Sequence, residues 1–258
     1  MSISLRRAAM LPILLPAMDQ QGRTSMRRIL MLSTCAALSM SVGSLLASDA
    51  KAASTDCNST LGTPGTIVVL GNIVVPKDAA CSIFNATVNG NIDQQSNSVL
   101  VLGGNVTVNG NISSHGGQQF GVNGALGPGI TFNIKIAGNV EIDSTSQVLI
   151  CQPFRIDGNL AISNATMSVQ IGPGICSGAL PTGGSIGGNV SIENNNIISA
   201  LTMADSAIGN NMSVTNKGSG SKVVSFNTVT GNLECSGNAP TFKGTPNNAQ
   251  KTEGQCAQ

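Results

Sequence analysis

Residues 136–142 (IAGNVEI), 156–162 (IDGNLAI) and 186–192 (IGGNVSI) are one short pattern written three times: apolar, any, Gly, Asn, apolar, any, apolar. Residues 229–235 (VTGNLEC) keep the pattern, and 88–93 (VNGNID) keep most of it. Weaker copies are 70–74 (LGNIV), 108–113 (VNGNIS) and 208–214 (IGNNMSV), the last with Asn210 in the glycine's place. The glycine positions run 71, 90, 110, 138, 158, 188, 210 and 231, evenly spaced except for two longer steps, 110 to 138 and 158 to 188. A period near twenty belongs to solenoids, whose repeats bury an apolar face only by stacking on their neighbours. Ile, Val and Leu alternate with Ser, Thr, Glu and Ala, the two-residue period of strands, and no helical stripe follows residue 53. The expected fold is all-β: a single-stranded, right-handed parallel β-helix of about eight coils. At ~4.8 Å per coil that is a rod of roughly 38 Å before its ends are capped.

The Gly-Asn pair suits the bends. Short strands must turn sharply to close a coil, and Gly and Asn adopt positive φ with least strain. Stacking the coils brings Asn72, Asn91, Asn111, Asn139, Asn159, Asn189, Asn211 and Asn232 above one another. Their amides would then bond from coil to coil and satisfy turn groups otherwise left orphaned. A second reading makes each motif one straight strand, with glycine inward and asparagine in solvent. The ladder is the reading adopted.

Residues 1–52 read as an upstream extension followed by a secretory signal: Arg27 and Arg28, an apolar stretch over 29–46, then the small-x-small site Ala50-Lys51-Ala52. Met26 alone begins a signal of normal length. Cleavage after Ala52 would leave no transmembrane segment, and the expected location is secreted, periplasmic or cell-surface. The leader carries a net charge of +4, and the chain after it carries −3. With no Trp, no Tyr and no basic stripe, nucleic acid is excluded as a partner.

Six cysteines remain after residue 52, an even set that in an exported chain reads as disulfides. Cys57 and Cys81, Cys151 and Cys176, and Cys235 and Cys256 are each separated by about the length of one coil. Each pair would therefore stack on adjacent rungs within bonding reach. The end pairs would clasp edges that otherwise invite polymerisation. The coils would fill residues 53–237, and 238–258, rich in Asn, Gly, Pro and Gln, would form a polar C-terminal cap. Residues 114–129 and 172–185 are rich in Gly and lack alternation, and should loop out of the rod.

The segment 231–235 (GNLEC), followed by Asn238-Ala239-Pro240 and the closing Gly254-Gln255-Cys256, resembles the C-terminal ending of a group of secreted bacterial proteins built from Gly-Asn repeats. The resemblance covers roughly residues 57–258. It implies export and a β-helix of the pectate-lyase type, and carries over no catalytic residue, since the group has no established activity.

Secreted β-helices commonly cleave polysaccharides, which takes paired carboxylates, or acids around calcium with a basic proton acceptor. Glu141, Asp143, Asp157 and Arg155 are the one candidate catalytic set, because the spacing of Glu141 and Asp157 could bring them close on adjacent coils. His115 stands without an adjacent Cys, Asp or second His. No spacing of ligands points to a metal, and none to a cofactor. Two functions follow as expectations. One is a non-catalytic structural or adhesive rod whose partner is an extracellular polysaccharide or envelope surface. The other is a β-helix that binds or degrades polysaccharide, for which the four residues above should meet in a groove.

Overall fold

The computed structural model describes residues 53–62, 66–122, 133–151, 153–172, 183–242 and 246–257, all within one compact unit, 47–258. The leader lies outside the described residues, among which there is no helix. Every strand pairing among the described residues is parallel, and they wind as a three-faced solenoid of about eight turns. Each coil runs along all three faces, mostly with one strand on each, though Ala80–Val88 and Val99–Val108 each bend from the second face onto the third as one strand. The coil at 140–156 shows the plan: Val140–Asp143 on the first face, Gln147–Ile150 on the second, Phe154–Ile156 on the third. The next coil repeats it with Leu160–Ser163, Ser168–Ile171 and Gly184–Ile186, each in register with the strand before it.

Period-two alternation sends every second residue inward, and the parallel register stacks like on like. Ile92, Ile112, Val140, Leu160, Val190, Met212 and Leu233 form one such column behind the first face, all buried. Leu100, Phe120, Val148, Val169 and Leu201 form another behind the second. Lys222 takes the next place in that apolar column, opposite Leu201, and is 1% exposed. Its Nζ donates to the carbonyls of Gly218, Gly220 and Ala239, so the cation is held by neutral dipoles. It closes the C-terminal end of the core, and burial lowers its pKa.

The Gly-Asn pair is the corner between the third face and the first. The reason for the glycine differs from the expected one. Neither the motif glycines nor the ladder asparagines have positive φ. A Cβ on Gly90, Gly110, Gly138, Gly158, Gly188 or Gly231 would instead overlap the Oδ1 of the ladder asparagine one coil earlier. Glycine is there to let the ladder through. At the other two corners positive φ is required and is met by Asp78, Asn97, Ser144, Asn164 and Asn194, or by Asn85, Asp205 and Phe226.

Cys57 is bonded to Cys81 and Cys235 to Cys256, with Cα atoms 5.4 and 5.3 Å apart, one bond near each end of the rod. Cys151 is also disulfide-bonded, and Cys176 lies outside the described residues. The tail adds a rung of its own: Asn248–Gly254 pairs in parallel with Thr228–Cys235. Ile112–His115, Gln119–Val122 and Gly184–Ile186, which the expected loop-outs at 114–129 and 172–185 overlapped, are ordinary rungs. Residues 123–129 and 173–182 of those two segments lie outside the described residues.

Candidate functional site

The corner divides the four candidate catalytic residues. Glu141 follows Asn139 by two positions and so projects from the first face; Asp157 precedes Asn159 by two and closes the third. On the third face the Nε–H of Arg155 donates to Asp157 Oδ1, and Lys135 Nζ lies 3.6 Å from Asp157 Oδ2. The hydrogen bond from Arg155 holds the Asp157 carboxyl below the usual carboxylate range, and the charges of Arg155 and Lys135 add to this. On the first face Asp143 Oδ1 accepts from Ser163 Oγ at 2.7 Å and Asn164 Nδ2 at 2.7 Å, and Oδ2 accepts from Ser144 Oγ at 3.0 Å. The bond from Ser163 leads in lowering its pKa, with His115 a minor contributor. Glu141 is exposed, with Ser113 and Ala161 beside it in register.

His115, Asp143 and Ser163 occupy successive rungs of one outward file. They are the residue types of a nucleophilic triad in the wrong order. Asp143 stands in the middle, so serine and histidine are two rungs, about 9.6 Å, apart. A triad needs the imidazole between the other two to take the serine proton. His115 itself ends a strand rather than sitting in an insertion, and its neighbour Ser114 is buried inside the coil. Among the described residues no group of three or more His, Cys, Asp or Glu is placed to hold a metal ion.

The faces differ in charge. One outward file of the first face runs Asp56, Val74, Asp93, Ser113, Glu141, Ala161, Ser191, Ser213, Glu234, Glu253, with five acids and no base. The central outward file of the second face runs Thr60, Ser82, Val101, Gly121, Leu149, Gln170, Thr202, Val223 and carries no charge. On the third face Lys135 and Arg155 give way to Ser185, Ala207 and Thr228. There the small side chains open a groove of about 330 Å³ with Arg155 and Asp157 at one end. It shares Ala207 and Thr228 with a neighbouring hollow of about 310 Å³ that reaches Asp205 and Phe226. Phe226 is 59% exposed at φ 56°, in a turn position filled on other coils by Asn85, Gly104 and Asp205.

Along the first corner of the coil the sequence reading missed an internal polar spine. Gln94, Ser114 and Thr145 are linked within the core, Ser114 Oγ lying 2.9 Å from Gln94 Oε1 and 2.7 Å from Thr145 Oγ1. Further along, Asn195, Asn216, Asn238 and Gln255 form a second ladder, the first three buried. The N–H of Asn195 donates to Asn216 Oδ1 at 3.1 Å, and that of Asn216 to Asn238 Oδ1 at 2.7 Å. Each Nδ2 caps a carbonyl one coil back: Ile162, Ile192 and Val214. The available signal was the recurrence of asparagine once per coil at 195, 216 and 238, in step with the Gly-Asn motif but offset from it.

A parallel β-solenoid with three chemically distinct faces is the class that this geometry defines. No protein-family model matches the chain, and no curated protein or solved structure is detectably similar to it.

Proposed function

We propose that this is a structural or adhesive rod, exported to the periplasm, the medium or the cell surface, that works without catalysing a reaction. The observation that carries the reading is the hydrogen-bonding of the outer ladder. Seven consecutive steps from Asn72 to Asn232 join backbone N–H to Oδ1 at 2.8–3.2 Å. With a disulfide cross-linking adjacent coils near each end, that makes a stiff object. The disulfides favour an oxidising compartment. The C-terminal motif supports kinship with secreted bacterial Gly-Asn-repeat proteins. The separation of Asp157 with Arg155 from Asp143 with Ser163 supports a non-catalytic role.

A second reading has one observation in its favour. The third-face groove ends on exposed Phe226 and borders Asp205, the combination of an apolar ring and a hydroxyl-binding carboxylate that suits a sugar. A glycan array and a panel of soluble polysaccharides test both readings. The rod reading expects no turnover of any polymer, and reproducible cleavage overturns it. Binding lost in Phe226→Ala, without turnover, would assign the rod's adhesive surface to the third face.

A further inference from the structure

Residues 87–92 and 107–112 are the same hexapeptide, Thr-Val-Asn-Gly-Asn-Ile, on consecutive coils. Both cross the corner between the third face and the first, where Asn89 and Asn109, each just before a motif glycine, are exposed. Asparagine before glycine is the dipeptide in which a chain most readily attacks itself. The glycine nitrogen closes on the preceding side chain's Cγ to form a five-membered ring, with no Cβ in the way.

The other corners are guarded. Leu70, Ala137, Gly187, Gly209 and Thr230 in the same place offer no side-chain amide. Gly138, Gly158, Gly188 and Gly231 each commit their N–H to a carbonyl one coil earlier, at 2.9–3.2 Å. Asp157 precedes one of these tied glycines, and its carboxylate is held by Arg155 as well. The N–H groups of Gly90 and Gly110 have no partner among the described residues. The two coils that carry the amide are thus coils that leave the attacking nitrogen free.

Stacking then separates two identical peptides. Asn109 Nδ2 donates to Asn89 Oδ1 at 2.8 Å. One coil further on, the position in register with Asn109 is Ala137, which has no side-chain donor to offer it. We infer that Asn89 is a site of spontaneous covalent modification, in which Gly90 N attacks Asn89 Cγ while the Asn109 amide stabilises the oxyanion that forms. The Gly90 nitrogen gives its proton to hydroxide as the N–Cγ bond forms. Negative charge gathers on Oδ1, where the Asn109 donor already points. The Cγ–Nδ2 bond then breaks, and ammonia leaves with a proton taken from water. The succinimide adds one water at either carbonyl and opens to aspartate or isoaspartate.

The ladder itself makes this corner vulnerable. A Cβ at residue 90 would overlap Asn72 Oδ1, so the ladder demands the residue that leaves the nitrogen unshielded. The ladder also registers the outcome. Aspartate keeps the backbone and accepts from Asn109 more strongly. Isoaspartate adds one backbone atom between the Asn89 N–H, bonded to the Val69 carbonyl at 2.9 Å, and the Asn91 N–H, bonded to Asn72 Oδ1 at 2.8 Å. The first step of the outer ladder must then open.

Peptide mapping by mass spectrometry, after incubating the folded, disulfide-intact chain in mildly alkaline buffer, tests this. Asn89 is expected to convert about three- to tenfold faster than Asn109, the worth of one neutral hydrogen bond. In the reduced chain unfolded in urea, the two hexapeptides should react at one rate. Asn109→Ala, an exposed change, should slow Asn89 of the folded chain to the rate of wild-type Asn109. The amide of Asn91 should exchange with solvent faster in the isoaspartate fraction than in Asn89→Asp. Equal rates at the two sites in the folded chain overturn the inference. So does an Asn89 that reacts in urea but not in the fold, or one that reacts as fast after Asn109→Ala. An Asn91 amide that exchanges no faster overturns the link to the ladder. The chemistry is independent of what the rod binds, so its failure and that of the adhesive reading are separately visible.

Discussion

The outer and inner asparagine ladders use one residue type for one bond, yet they stand in opposite surroundings. In the outer ladder Asn159 accepts from the N–H of Asn189 at 2.8 Å and its Nδ2 reaches Asn139 Oδ1 at 3.0 Å, with both ends in solvent. In the inner ladder Asn216 accepts from Asn195 and caps the Ile192 carbonyl while 1% exposed. Water can replace every partner that an outer asparagine loses, and none that an inner one loses. The outer ladder therefore sets where the coil turns, and the inner one carries more of the stability.

The largest test of that contrast is Asn216→Leu. It strands the N–H of Asn195 and the carbonyl of Ile192 inside the rod, at about 1–3 kcal/mol for each buried group left unmet. Urea denaturation should show a loss of about 3–5 kcal/mol at unchanged m-value, and Asn216→Asp should recover little of it, since a carboxylate cannot cap a carbonyl. Gly158→Ala comes next. Its methyl would overlap Asn139 Oδ1 and crowd the Gly138 carbonyl, so one ladder step must open, at about 1–3 kcal/mol as for other overpacked sites. The chain already holds a natural version of this experiment: where Asn210 replaces the glycine, the Asn189–Asn211 step is the longest of the seven at 3.2 Å. Asn159→Ala, in the outer ladder, should cost only about 0.5–1.5 kcal/mol by the same denaturation assay.

The smallest expected effects are in pH. Asp143 has a folded pKa below its unfolded one, so the stability it adds is present above the ordinary carboxylate pKa and is lost as pH falls through the folded value. Asp143→Asn should flatten the acid limb of a stability–pH curve. Lys222 has the opposite sign: burial lowers its pKa, the unfolded chain binds the extra proton, and stability should rise with pH from the folded value up to the ordinary lysine range. In Lys222→Met that alkaline rise should disappear.

Much of this could be seen in the residues alone. The recurrence of Gly-Asn set the number of coils and the corner at which they turn, and the one-coil spacing of Cys57 with Cys81 and Cys235 with Cys256 matches the two bonds described. Even the division of the catalytic candidates was readable once the motif was taken as a corner, because Glu141 follows its asparagine and Asp157 precedes one. The run Asn194-Asn195-Asn196 was not readable: the first takes φ 58° in solvent, the second is buried in the inner ladder, the third is exposed. Lys222 was no more legible, since nothing local tells a lysine of the outer surface from one that closes an apolar column.

By itself, then, the order of residues determined a period, an alternation and a corner, because these depend on side-chain size and backbone freedom over a short stretch of chain. Register between coils decided the rest: which acids share a face and which asparagines lose water. Register is a long-range property, set by how the apolar columns of successive coils align, and only the stacked structure contains it.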